Sequence, residues 1–220
     1  MISVVMPAYN EVNTIDQAIN AFAHHEEIGE IIVVDGLSED GTYELLQHLD
    51  KNIAKLRVIQ EVSRQGKGNA VSLGVNEARG DVIIIQDADN EISAEDVATV
   101  ANAVTDENPV VFGSRFILDQ ECAYPSMTLA NKLFTRLFNL RNGTRLTDVL
   151  TGCKAAKASL WKEIDLKAKG YEIEIEVAEQ LARRSHIIEK PVVFKPRKNE
   201  EGKKIRLKHA FIILKRMWLG

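Results

Sequence analysis

Short β-branched runs alternate with stretches of helical spacing along this chain, and that alternation admits few folds. Residues 2–6, 31–34, 56–59, 82–85 and 110–112 each read as a buried strand. Between them, residues 12–22, 42–49, 66–78 and 93–104 read as helices, with Ile15, Ala18, Ile19 and Phe22 marking the apolar stripe of the first. Ser93 and Asp96 have the spacing of a capping box. Strands that are apolar throughout belong to parallel sheets covered on both faces. The pattern predicts an α/β domain with a mostly parallel central sheet covered by helices. The second half is less regular. Residues 126–140 and 172–183 suit helices, 151–155 a short strand, and 187–194 extended chain interrupted by Pro191. Residues 195–204 are a polar loop with Pro196 and Gly202, and 206–219 suit a terminal helix.

A length of 220 residues fits one such domain, and an apolar fraction of 45% can build its core. We divide the chain into a domain over residues 1–205 and a basic amphipathic C-terminal helix over 206–220. The net charge of −4 argues against a nucleic-acid partner. Cys122 and Cys153 form no CxxC pair, which predicts a reduced, cytoplasmic setting. The opening MISVVMPAYNE lacks a basic n-region and reads as a strand rather than a leader. No apolar run approaches the ~18–20 residues that span a bilayer, so any membrane contact is expected to be peripheral. The C-terminal helix supplies a candidate. Leu207, Phe211, Leu214 and Trp218 share a face, and Lys203, Lys204, Arg206, Lys208, Lys215 and Arg216 flank it.

In open α/β sheets, ligands bind beyond the C-terminal ends of the strands. Polar signatures stand at three such ends: Pro7-Ala8-Tyr9-Asn10-Glu11, Asp35-Gly36, and Asp87-Ala88-Asp89. If their strands are parallel neighbours, all three converge on one rim. Asp87 and Asp89 would point to the same side of an extended segment. Paired carboxylates call for a hard cation, Mg²⁺ or Mn²⁺, that keeps phosphate oxygens in its shell. Asp35 can accept hydrogen bonds from a base or ribose, or simply cap a turn. The Gly66-Lys67-Gly68 turn lacks the spacing of a Walker A loop. Lys67 there either reaches a phosphate or is a solvated lysine. Arg115, at the end of the fifth run, can clamp a phosphate. Asp148 and Lys154 flank Thr151-Gly152-Cys153.

Taken in order, these pieces resemble the family-2 glycosyltransferases of the GT-A fold, close to dolichyl-phosphate mannose synthases and polyprenyl-phosphate sugar transferases. The matching segments also include Asp40-Gly41-Thr42, Gly113-Ser114-Arg115, Thr151-Gly152-Cys153-Lys154, Glu172-Ile173-Glu174, Pro196-Arg197 and Glu201-Gly202-Lys203-Lys204-Ile205. The resemblance implies that Pro7, Ala8, Tyr9, Glu11 and Asp35 hold the donor nucleoside, with Lys67 and Ala88 also on the donor side. It implies Asp87 and Asp89 at a metal and the donor diphosphate, with Glu91 as a further ligand. Arg115, Arg197 and Lys203 would neutralise phosphates. Many relatives carry two aspartates where this chain has Asp35 followed by Gly36, which leaves GDP-mannose and UDP-hexose both open as donors.

The implied reaction transfers a sugar from a nucleotide diphosphate to a polyprenyl or dolichyl phosphate, with inversion, on the cytoplasmic face of a membrane. A lipid phosphate is already anionic and needs no strong base. A sugar-hydroxyl acceptor would need one, and Asp148 is then the candidate, beside Asp89 and Arg115 as catalytic groups. A non-catalytic nucleotide-sugar binding module is the other reading. A sugar-nucleotide pyrophosphorylase would carry a glycine-rich, arginine-bearing loop after its first strand, where this chain has Pro7-Ala8-Tyr9-Asn10-Glu11.

Overall fold

A computed structural model describes residues 1–119 and 125–196. Fourteen elements follow in order: β1 (Ile2–Ala8), α1 (Ile15–Ala23), β2 (Ile28–Asp35), α2 (Thr42–Asp50), β3 (Leu56–Gln60), α3 (Lys67–Glu77), β4 (Val82–Ile85), α4 (Ala94–Asn102), β5 (Val110–Ser114), α5 (Pro125–Asn142), β6 (Lys154–Lys157), α6 (Ala158–Glu163), α7 (Ile173–Ala182) and β7 (Ile188–Pro191). The expected C-terminal helix, Arg197, Lys203, Lys204, Cys122 and most of the 195–204 loop lie outside the described residues.

The strands form one seven-stranded sheet in the order β3-β2-β1-β4-β6-β5-β7. All neighbours are parallel except those of β6, which runs antiparallel to both β4 and β5. Apolar side chains alternate between two cores, as a sheet covered on both faces requires. Val4, Met6, Ile31, Val33 and Ile84 face α1, α2 and α4. Val5, Ile32, Val34, Ile83 and Ile85 face α3, α5, α6 and α7.

The differences from the sequence-based expectation are local. Helix α1 starts at Ile15, later than residue 12, because the preceding chain is tied sideways. Asn10 is in the left-handed region (φ 53°), and Val12 N–H donates to Asp40 Oδ2 at 3.2 Å. Strand β6 sits three residues later than expected and leads directly into α6, which the periodicity did not signal. Trp161 on α6 donates Nε1–H to the Ile83 carbonyl at 2.9 Å, pinning it under β4. Ser93 Oγ caps α4 by accepting from Asp96 N–H at 3.1 Å. The Asp96 carboxylate accepts from Ser93 Oγ at 2.9 Å and from Val193 N–H at 3.2 Å.

Candidate active site

Strands β1, β2 and β4 lie side by side and parallel, so the chain leaves the sheet at one rim after each of them. Ala8 pairs with Asp35, and Asp35 with Gln60 of β3. The three polar signatures therefore do converge. The segment after β1 is fastened to the segment after β2 by short polar contacts. Gly36 N–H donates to the Ala8 carbonyl at 2.8 Å. Asn10 N–H donates to Ser38 Oγ at 2.9 Å, and Asn10 Oδ1 accepts from Glu39 N–H at 2.9 Å. Glu11 N–H donates to Thr42 Oγ1 at 2.9 Å, while its carboxylate accepts from Thr14 Oγ1 at 3.1 Å. Pro7 and Tyr9 remain half-buried at the surface of this corner. The Arg64 guanidinium lies 3.6 Å from the centre of the Tyr9 ring, a cation–π contact.

Asp35 is fully buried at the floor of this corner. Its carboxylate accepts from Ser38 N–H at 3.2 Å and from Gln60 Nε2 at 3.1 Å. Glu61 is also buried. It accepts from Gln65 N–H at 3.2 Å and from Asn69 Nδ2, fixing the turn into α3. That turn needs Gly66, whose φ of +106° would strain any side chain.

Asp87 and Asp89 follow β4, but not as an extended pair. The strand ends at Ile85, and Ala88 and Asp89 are in a turn. The same-side argument from strand alternation therefore does not apply; the turn itself places both residues half-buried at the rim. Ala88 packs its side chain into the core under β1, so any donor contact from Ala88 must come from its backbone. Asn90 takes φ +58°, and Glu91 N–H turns back to donate to Asp89 Oδ1 at 3.2 Å. Gly152 presses against Asp87: a Cβ there would stand 2.5 Å from Asp87 Oδ2.

Asp87 is also the outer end of a row of charges that runs into the core. Lys67, the first residue of α3, places Nζ 2.6 Å from Asp87 Oδ1 and 2.7 Å from Glu174 Oε1. Glu174 Oε2 pairs with Lys154 Nζ, which also donates to the Thr151 carbonyl. Lys154 is fully buried. Burial alone would drive the Lys67 pKa down, but the Asp87 and Glu174 carboxylates outweigh it and hold it above the usual lysine range. Burial would raise Glu174, and the two ammonium groups outweigh that, keeping it below the usual carboxylate range. Lys154, deeper and repelled by Lys67, is pulled below the usual lysine value by burial. Lys67 is thus no solvated lysine. Glu174 lies in one of the matching segments, but nothing in the sequence gave it a role. No local signal marks it: Lys154 lies in a short alanine strand, and only the fold shows that the first seven residues of the helix carrying Glu174 are all buried.

A second buried pair stands at the end of β5. Arg115 Nε lies 2.6 Å from Asp148 Oδ2, and Nη2 lies 2.8 Å from Oδ1. Asp148 is fully buried, and the bidentate fork aligns both of its oxygens with the arginine. Glu189 of β7, also missed from sequence, holds this segment. It accepts from Thr147 N–H at 2.7 Å, Thr147 Oγ1 at 2.9 Å and Asp148 N–H at 3.0 Å. Burial and the Asp148 charge together push the Glu189 carboxyl above its ordinary pKa despite those hydrogen bonds.

The carboxylates at this rim that a divalent cation would meet are Asp87 and Asp89. Among the described residues no group of three or more His, Cys, Asp or Glu side chains is gathered as a metal cage, so Glu91 does not join them there. Two carboxylates fit a hard cation that completes its shell with water and phosphate.

Residues 3–165 match the glycosyl transferase family 2 profile. The chain belongs to that family. It is 28% identical over 185 residues to glycosyltransferase AglJ of Haloferax volcanii, covering 83% of this chain and 59% of that protein. It is 26% identical over 236 residues to the dolichol-phosphate mannosyltransferase of Pyrococcus furiosus, covering 100% of this chain and 64% of that one. The chain thus spans roughly three fifths of the length of these curated relatives. The fold is similar to glucosyl-3-phosphoglycerate synthase from Mycobacterium tuberculosis, solved with Mn²⁺, uridine diphosphate and phosphoglyceric acid. The TM-score is 0.72 at 21% identity, covering 99% of this chain and 78% of that one. The architecture is a single GT-A α/β domain.

Proposed function

We propose that this family-2 protein is a hexosyltransferase. It moves a sugar from a nucleotide diphosphate, GDP-mannose or a UDP-hexose, to a polyprenyl-type lipid phosphate with inversion. The observation that carries the reading is the convergence of Asp35, Asp87 and Asp89 on one sheet rim. The dolichol-phosphate mannosyltransferase of P. furiosus supports the lipid phosphate as acceptor.

On this reading the corner formed by Pro7, Ala8, Tyr9, Glu11 and Asp35 receives the nucleoside. The base or ribose reaches Asp35 by taking the place of the Gln60 amide. Asp35→Ala should then weaken nucleoside diphosphate binding roughly tenfold, the worth of a charge-assisted hydrogen bond. Calorimetry reads this directly, and unchanged affinity would leave Asp35 as a turn anchor only.

Asp87 and Asp89 would hold Mg²⁺ or Mn²⁺, which neutralises charge on the leaving diphosphate; the synthase solved with Mn²⁺ supports that choice. Lys67 holds Asp87 in place and keeps its own positive charge at the donor side. Arg115, fixed by Asp148, presents a directed guanidinium at the same rim, and Arg197 and Lys203 are further phosphate partners. Glu91 is a candidate additional metal ligand through rearrangement of its turn.

The Arg115–Asp148 fork favours an acceptor that is already anionic. A general base must touch the proton it takes. Asp148 is buried and would first have to release Arg115, so it serves better as a positioning group than as a base for a sugar hydroxyl. The domain over 1–205 would carry the chemistry, with residues 206–220 resting on the cytoplasmic face of a membrane. No helix among the described residues is long and apolar enough to cross one. A panel of nucleotide sugars, tested for turnover with polyprenyl phosphate and Mn²⁺ or Mg²⁺, decides the reading. One donor should stand out. Donor binding without transfer to any acceptor would favour a binding module, and transfer only to sugar hydroxyls would move the acceptor class.

A further inference from the structure

The turn that carries Arg115 is tied down along two routes, and both end on Glu189. The first runs through Asp148. Its carboxylate forks the Arg115 guanidinium, and its Oδ2 also accepts from Arg115 N–H at 3.3 Å. The backbone N–H of Asp148 donates in turn to Glu189 Oε1 at 3.0 Å. The second route runs through two hydroxyls. Phe116 N–H donates to Ser114 Oγ at 3.2 Å, and Ser114 Oγ lies 2.6 Å from Thr147 Oγ1. Thr147 Oγ1 donates to Glu189 Oε2 at 2.9 Å, where Thr147 N–H also donates at 2.7 Å. An ionised carboxylate only accepts. The Thr147 hydroxyl proton therefore points at Glu189, and the Ser114 proton must point at Thr147. Glu189 sets the direction of the whole chain. Strand pairing does not ask for a carboxylate at this position. Glu189 stands in register with Phe112 on the edge strand β7, and any residue can make those backbone bonds. Burial and the Asp148 charge both act against its ionised form. A glutamine would have the same shape without the charge, but only one accepting oxygen. It could serve Thr147 or Asp148, not both.

We propose that Glu189 is the positioning residue for Arg115, holding its turn from both sides so that the guanidinium meets an anionic acceptor in one orientation. Glu189 touches no reacting atom. It acts through Thr147 and Asp148, as the outer partner that aligns a charged group for binding. The Phe194 ring, its centre 5.2 Å from the same guanidinium, packs against Arg115 from the segment that follows β7. One short strand thereby supplies both a polar anchor and an apolar wall for the arginine. Without the anchor, Arg115 keeps its charge but loses its fixed direction, and the ordering cost falls on each acceptor as it binds. The effect on the acceptor rests on the lipid-phosphate reading; the positioning of Arg115 does not.

The test compares Glu189→Gln, Thr147→Val and Thr147→Ser with wild type in the full chain. Two readouts are taken. One is the NMR signal of the Arg115 Nε–H, identified by its loss in Arg115→Lys. The other is steady-state transfer to farnesyl phosphate, a short polyprenyl phosphate, from the best donor of the nucleotide-sugar panel. In Glu189→Gln and Thr147→Val the Nε–H signal should shift and broaden, and in Thr147→Ser, which keeps the hydroxyl, it should match wild type. The KM for farnesyl phosphate should rise about tenfold in Glu189→Gln, with kcat and nucleoside diphosphate affinity within about twofold of wild type. A merely structural role would lower the melting temperature and leave the KM of the folded enzyme where it was. If Glu189→Gln melts early, the Thr147 pair decides, because Thr147 is exposed and only its hydroxyl is exchanged. An Arg115 signal and a KM equal to wild type in both Glu189→Gln and Thr147→Val overturn the proposal. So does a Thr147→Ser that loses as much as Thr147→Val. An Arg115 signal that moves as expected, with no transfer to farnesyl phosphate from any donor, would sink the acceptor reading and leave the positioning standing. Transfer at wild-type KM with an unmoved signal does the reverse.

Discussion

Glu174→Gln should destabilise the protein by about 3–5 kcal/mol, the cost of breaking a buried ion pair from one side. The carboxylate of Glu174 stands between two ammonium groups, Lys67 and Lys154. Lys67 keeps Asp87 as a second partner. Lys154 is fully buried and keeps the Thr151 carbonyl and the face of Phe112, 5.3 Å from its ring centre, but no carboxylate in contact. Removing the carboxylate therefore strands one buried charge and leaves two cations facing each other. The melting temperature should fall by on the order of 10 °C for a domain of this size. The pH dependence has a definite sign. The Glu174 pKa is depressed in the folded state below its ordinary 4.5. Its stabilisation is therefore fully present above about pH 4.5 and is lost as pH falls through the lower folded value. The gap between wild type and variant should be widest near neutrality and shrink in acid. Adding Lys154→Met to Glu174→Gln should recover part of the loss, because the stranded charge is then gone. Equal urea midpoints for wild type and Glu174→Gln at pH 7 would show that the row of charges contributes nothing net.

How legible all this was depended on where each partner sits in the chain. Strands β1, β2 and β4 were visible because apolar residues must fill both of their faces, so the run is continuous. Strand β6 was misplaced because Lys154-Ala155-Ala156-Lys157 has neither β-branching nor alternation; its place comes from pairing between β4 and β5. Helix α6 is six residues long, too short for periodicity to show. The site followed the same division. Asp35, Asp87 and Asp89 stood out because strand-end position is a local property and the parallel rim collects strand ends. The Arg115–Asp148 fork joins residues 33 apart, and Lys154–Glu174 joins residues 20 apart. Nothing local marks either pairing. A buried lysine resembles an exposed one until the fold brings its carboxylate. The sequence also misjudged how Asp87 and Asp89 are presented, since it assumed extended chain where Ala88 and Asp89 turn.

Asp89→Ala should lower turnover by about 10²–10³-fold, some 2.7–4 kcal/mol of transition-state stabilisation, while leaving the fold intact. The two aspartates of the rim differ in what else they do. Asp87 neutralises Lys67 and lies against Gly152, so its removal confounds chemistry with stability. Asp89 sits in the following turn, half-buried, where its Oδ1 accepts from Glu91 N–H at 3.2 Å. That part-buried turn hydrogen bond is worth about 1 kcal/mol, small beside the stability of a domain of this size. A melting curve close to wild type is therefore the control, and it separates Asp89→Ala from Asp87→Ala, which should melt early as well as lose activity. The cation reading adds a readout that does not require turnover. Calorimetric titration of Mn²⁺ in the presence of a nucleoside diphosphate should show saturable binding in wild type and at least tenfold weaker binding in Asp89→Ala. Excess EDTA should abolish transfer in wild type, and returning Mn²⁺ or Mg²⁺ should restore it. Full activity in EDTA would remove the metal from the mechanism. Full activity in Asp89→Ala with metal dependence retained would place the cation on Asp87 with some other oxygen, and the turn that brings Glu91 N–H back onto Asp89 would then be structural alone.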